Sequence, residues 1–220
     1  MSISENLQLI QQQLPASVTL VAVSKTKPVS AIEEAYQAGQ RIFGENKVQE
    51  MCEKYEQLPK DIQWHLIGHL QSNKVKYMAP FVSLIHGVDS FKLLQEINNQ
   101  AIKSNRVIDC LLQIRIAQEE TKFGLTFEDA QAVLNHPEFK NLQNICIKGV
   151  MGMSTFTEDE AQIRDEFKML KQIFDVFKEQ FSFDNTDFQT ISMGMSGDFQ
   201  LAIEEGSTMV RVGSSIFGGR

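Results

Sequence analysis

Short apolar runs alternate with helix-length amphipathic segments eight times along the chain, and this alternation restricts the possible folds more than any other feature. The runs predict strands over residues 18–24, 41–43, 62–67, 81–85, 107–116, 145–150, 188–193 and 208–212. Between them, helices are expected over 31–38, 48–58, 70–78, 90–102, 127–134 and 199–205, with a short amphipathic helix (Ile3, Leu7, Ile10, Leu14) ahead of Pro15. The clearest helix carries Ile163, Phe167, Leu170, Phe174, Phe177 and Phe181 at steps of four and three, an aromatic stripe read as core packing. Strand followed by helix, repeated, makes an α/β protein with a parallel sheet. The closed (β/α)8 (TIM) barrel and the open doubly wound sheet read alike locally. The count of eight favours the barrel, as does the lack of a GxGxxG after the first strand. With no long linker or shift of composition, residues 1–220 read as one domain with a short N-terminal helix.

Bulk properties narrow the function. Twenty-eight acidic against 21 basic residues give a formal charge of −7, which argues against nucleic acid as a partner. A small anionic ligand is still allowed, because a pocket needs only a few local donors. No apolar run is long enough to span a membrane, and the N-terminus lacks the basic and apolar parts of a signal peptide. Cys52, Cys110 and Cys146 are odd in number and in no metal-ligand spacing, so a reducing, cytoplasmic setting is expected.

Lys25 stands where the first apolar strand ends, with Pro28 placed for the first helical position. An ammonium at the mouth of a buried strand either has a partner or task, or snorkels to water. In a barrel all strand-to-helix loops gather on one face. The last two such loops, Gly194-Met195-Ser196-Gly197 and Gly213-Ser214-Ser215, are small and polar. Glycines let backbone N–H groups close on an anion, serines add hydroxyl donors, and the following helices turn their positive ends toward it. This describes a phosphate cup, and strand closure makes it a neighbour of Lys25. An aldehyde cofactor with a phosphate handle, bound as a Schiff base, needs both. Alternation puts Arg211 and Met209 on one strand face and Val210 and Val212 on the other. Arg211 then either offers donors to a ring nitrogen or carboxylate, or pairs with a buried acid such as Asp109.

The remaining candidates carry two readings each. Asn46 touches a ring substituent or caps the next helix. His65 faces the ring from inside the barrel or is a hydrogen-bonded core residue. His69 and His86 fall near the mouth. Met195, with Met151, Met153 and Met193, supplies apolar padding beside the cavity. The turn Lys122-Phe123-Gly124 is a functional turn or a plain loop, and a secondary holding site at Lys74 or Lys122 is left open by the sequence.

Five segments taken together are more specific: Ala22-Val23-Ser24-Lys25-Thr26-Lys27-Pro28, Phe43-Gly44-Glu45-Asn46, residues 64–74 (WHLIGHLQSNK), Ser192-Met193-Gly194-Met195-Ser196 and Met209-Val210-Arg211-Val212-Gly213. In this order, across nearly the whole chain, they resemble the pyridoxal phosphate homeostasis protein family. The resemblance implies a fold-type III barrel like the N-terminal domain of alanine racemase, with pyridoxal 5'-phosphate (PLP) on Lys25 as a Schiff base. It also implies phosphate contacts at Ser196, Gly213 and Ser214 and a ring-side arginine at Arg211. The implied role is buffering or delivery of PLP inside the cell with little turnover, PLP-dependent apo-enzymes being the recipients. The eight strand-helix units use the chain, leaving no room for a racemase's β-rich second domain, and Tyr36, Tyr55 and Tyr77 fall in predicted helices away from the mouth. A monomer is expected. Two other readings stand beside it: an amino-acid racemase or other PLP-dependent enzyme, and a binder of another phosphorylated metabolite such as a sugar phosphate, with Lys25 as a charged clamp.

Overall fold

The computed structural model describes residues 2–118 and 123–219, so Lys122 lies outside the described residues. Eight parallel strands close into a barrel in sequence order: β1 Thr19–Val23, β2 Ile42–Glu45, β3 Gln63–Leu66, β4 Leu84–Val88, β5 Ile108–Gln113, β6 Ile145–Met151, β7 Thr186–Met195 and β8 Met209–Val212. Closure is made by β8 on β1, with Thr19 opposite Met209 and Val21 opposite Arg211. The barrel, rather than the open sheet, is the fold.

Around it lie α1 Ile3–Gln12, α2 Val29–Gln37, α3 Val48–Gln57, α4 Val75–Met78, α5 Phe91–Lys103, α6 Phe127–Leu134, α7 Glu160–Gln180, α8 Phe199–Glu204 and α9 Ser214–Phe217. Local chemistry sets several starts. Ser2 and Glu5 form a reciprocal capping box on α1, Ser90 accepts from the Leu93 N–H on α5, and Thr126 accepts from the Asp129 N–H on α6. Pro28 caps α2 from outside, in extended conformation, one place earlier than expected.

Period-two alternation splits the core into two layers. Leu20, Ala22, Phe43, Trp64, Val210 and Val212 pack outward against helical residues such as Ile32 and Phe167. Val21, Leu84, Leu111, Met151 and Met209 fill the barrel. The α7 stripe is core, as read: Phe167 and Phe177 are fully buried. No helix among the described residues is long and apolar enough to cross a membrane.

Three elements depart from expectation, the first being the helix expected over 70–78, which is a 3₁₀ turn at Ser72–Lys74 followed by the short α4. The fourth strand, expected over 81–85, begins later: the Phe81 and Val82 N–H groups both bond the Met78 carbonyl in the turn after α4. The strand instead starts at Leu84 and runs through His86 and Gly87, which read as a loop but are buried. After β8 the chain adds α9, against α1, where the Asn6 amide bonds the Ile216 carbonyl at 3.0 Å.

Candidate functional site

The strands' C-terminal ends open into a cavity of about 590 Å³. Seven of the eight residues singled out from sequence line it: Lys25, Asn46, Met195, Ser196, Arg211, Gly213 and Ser214. Lys25 follows β1 in a turn whose next residue, Thr26, has φ of +63°. Lys25 and Asn46 also line a second hollow of about 650 Å³ with Lys27 and Lys47, so they stand on the ridge between the two. Asn46 does not cap α3, since Lys47 occupies that position. A Cβ at Gly68 would collide with the Asn46 carbonyl oxygen and lie 2.8 Å from its Cα, so only glycine lets β3 and β2 approach here.

The β7 and β8 turns are joined directly: Ser196 Oγ accepts from the Gly213 N–H at 3.2 Å. Asp198 shapes the β7 turn from below, accepting from the Met195 N–H at 2.6 Å and from Ser154 Oγ at 2.7 Å. The helices after these turns have six and four residues, so the donors are backbone N–H groups and hydroxyls more than a helix dipole.

Arg211 faces inward with Met209, as alternation predicts, and is 4% exposed. Its guanidinium donates to Ser192 Oγ at 2.6 Å, to the Ser192 carbonyl at 2.8 Å and to the Gly152 carbonyl at 3.0 Å. Pairing with Asp109 is ruled out, since that carboxyl sits at the opposite strand ends with Lys148, Asp187 and Arg106 as its charged neighbours. Burial pulls Arg211 down to about 10, which leaves it charged at neutral pH.

His65 is not among the cavity-lining residues. It is buried inside the barrel, with Nδ1 3.1 Å from His86 Nε2. His86 Nδ1 in turn lies 3.1 Å from Ser192 Oγ. Burial pulls His65 down to about 3 and His86 well below the ordinary histidine value. The result is a hydrogen-bonded chain His65–His86–Ser192–Arg211, ending at the cavity floor. Arg211 can only donate to Ser192, so the arrangement that satisfies every atom has the serine O–H donating to His86 and His86 donating to His65. His86 is thus an interior residue rather than one at the mouth, and the sequence offered no sign of its partners.

The other polar residues divide plainly. His69 lines the cavity, stacked on Phe123 with centroids 4.6 Å apart. Met153 lines it too, whereas Met151 fills the barrel and Met193 the outer core. Lys27 is committed elsewhere, its ammonium donating to the carbonyls of Phe217, Gly218 and Gly219 at 2.9–3.1 Å. Lys74 lies in a single 3₁₀ turn with its ammonium 5.7 Å from the Tyr77 ring centre. Also missed from sequence was a buried group behind Lys25: Glu45, Lys54 and Ser24.

A closed parallel barrel with a lysine after its first strand and a polar cup after its last two defines a class, the alanine racemase N-terminal domain, and the family model of that description matches residues 1–220. Solved alanine racemases share the fold, as in the Bartonella henselae enzyme, at TM-score 0.73 and 17% identity over 99% of this chain and 58% of that one. Nearer relatives narrow the class. The chain is 39% identical to the pyridoxal phosphate homeostasis protein of Haemophilus influenzae over 100% of its own length and 97% of the relative's. It is 40% identical to the human protein of that name, over 95% of this chain and 79% of the relative. PipY of Synechococcus elongatus, solved with PLP bound, superposes at TM-score 0.90 with 37% identity, covering 99% of this chain and 100% of that one. The chain belongs to the pyridoxal phosphate homeostasis protein family.

Proposed function

We propose that this protein holds PLP as a Schiff base on Lys25 and serves intracellular PLP homeostasis as a carrier or buffer, with little or no turnover. The observation that carries the reading is the convergence of Lys25, Arg211 and the joined turns at Ser196 and Gly213-Ser214 on one cavity. The donor set fits the cofactor's chemistry: an amine for the aldehyde, N–H and hydroxyl donors for the phosphate, and a guanidinium for the ring side. Relatives of that name, and PipY with PLP bound, support it.

Bound PLP supplies an aldehyde and an electron-withdrawing ring. The chain's residues bind and orient it. Ser196, Gly213 and Ser214 would hold the phosphate, Asn46 and Met195 would lie on the ring side, and Arg211 would serve the ring nitrogen. A guanidinium donates but never accepts, so Arg211 would offer a hydrogen bond to an unprotonated ring nitrogen. His65 acts through His86 and Ser192 on Arg211 rather than on the cofactor.

A racemase needs an acid or base on each ring face. Tyr36 donates its hydroxyl to Asp61 at 2.8 Å, Tyr55 stacks on Phe81, Tyr77 is exposed on α4, and none of them lines the cavity. The recipients this reading implies are PLP-dependent apo-enzymes.

The test is to mix the purified protein with PLP, reduce with borohydride and locate the adduct by peptide mass. The adduct is expected on Lys25 and lost in Lys25→Ala, which keeps its fold because the side chain is partly exposed. The same adduct in Lys25→Ala overturns the assignment. Racemisation of an amino acid at ordinary enzyme rates, about 10 per second, overturns the carrier role.

A further inference from the structure

A set of buried charges lies between the Lys25 turn and α3. Glu45 closes β2 with its side chain fully buried, and the Lys54 side chain on α3 is 6% exposed. The Lys54 ammonium makes three bonds of 2.7 Å, to Glu45 Oε1, Glu50 Oε1 and the Ser24 carbonyl. Ser24 Oγ donates to Glu45 Oε1 at 2.6 Å, and the Thr26 N–H donates to Glu50 Oε1 at 2.6 Å. The backbone groups on either side of Lys25 are therefore both held by side chains of α3. Thr26 sits at φ of +63°, a left-handed conformation that a threonine keeps only when its surroundings impose it. Glu45 Oε2 is buried without a hydrogen-bond partner.

Stability does not explain this group, because apolar side chains of the same volume commonly serve a core as well as a buried ion pair does. We infer that Glu45, Glu50 and Lys54 are positioning residues for Lys25: they hold the backbone on both sides of it so that its amine faces the cavity. The inference rests on Lys25 being the attachment residue.

The experiment uses the full chain and PLP as the probe. The readout is the rate at which borohydride-trapped adduct appears on Lys25. Glu45→Gln keeps the side-chain volume but removes the carboxylate that holds Lys54, and is expected to slow adduct formation severalfold. Glu50→Ala, at a partly exposed position and so able to fold, is expected to slow adduct formation about tenfold by freeing the Thr26 N–H, and Glu50→Gln, which keeps an acceptor oxygen there, to restore most of the rate. Asn185→Ala, which cuts bonds to the Phe139 and Leu142 carbonyls at the barrel's other end, should lower the melting temperature and leave this rate unchanged. Folded Glu45→Gln and Glu50→Ala proteins that match the unaltered chain in this rate overturn the inference. Should Glu45→Gln not fold, an unchanged rate in Glu50→Ala overturns it alone. An unaltered chain with no adduct on Lys25 overturns the reading of Lys25 itself, a result visible before any variant is made.

Discussion

His65 Nδ1 and His86 Nε2 lie 3.1 Å apart inside the barrel, two neutral imidazoles sharing one hydrogen bond where water does not reach. Unfolded, each binds a proton near the ordinary value of 6.5, whereas folded His65 stays neutral down to about 3 and His86 titrates well below 6.5. Below that ordinary value the unfolded chain therefore binds more protons, and stability falls as pH falls. Two such groups give a slope of about 2–3 kcal/mol per pH unit between about pH 6 and pH 5. Urea unfolding across this range measures it. The slope should halve in His86→Gln, and a flat profile in the unaltered chain contradicts the assignment.

Ser192 links that pair to the cavity by accepting from Arg211 at 2.6 Å. Ser192→Ala removes the hydroxyl but leaves a buried guanidinium and a buried imidazole each short of a partner, at a cost of about 1–3 kcal/mol. The same change lets Arg211 move, so PLP affinity measured by calorimetry should fall as well. Unchanged affinity would show that Arg211 is held by the Ser192 and Gly152 carbonyls alone.

Ser196 offers a contrasting case, since its hydroxyl joins the two cup turns from a partly exposed position. Ser196→Ala should weaken PLP binding about tenfold, the worth of one charge-assisted hydrogen bond, with little change in melting temperature. Equal affinity would place the phosphate elsewhere.

Gly149 marks a break in strand register between β6 and β7, at φ of +149°. A Cβ there would collide with the Thr190 carbonyl oxygen, which is backbone and cannot swing aside. Gly149→Ala is expected to lose about 3 kcal/mol or more, or to fail to fold. A loss under about 0.5 kcal/mol by urea unfolding would contradict the bulge geometry.

The fold was legible because strand and helix periods alternate eight times, and the joining of the β7 and β8 turns because both carry glycine and serine. What stayed hidden depends on contacts between residues far apart in sequence. Residues 81–85 have a strand's composition, yet Phe81 and Val82 complete the turn after α4, while His86 and Gly87 look like a loop and continue β4. A polar residue can enter a barrel only when other strands satisfy it, and the partners of His86 come from β3 and β7. Lys54 is another instance: on an amphipathic helix a lysine reads as solvated, and only the closing of β1 and β2 beside α3 surrounds it with three acceptors. Asn46, read as a cap or a contact, is not the cap, because Lys47 takes that position.

A crystal structure of this chain grown with PLP tests the account most directly. Continuous density from Lys25 Nζ into the cofactor is expected, with its phosphate on Ser196, Gly213 and Ser214 and its ring nitrogen toward Arg211. Cofactor density joined to Lys27 or Lys74, or a phosphate lying away from the β7 and β8 turns, would contradict it.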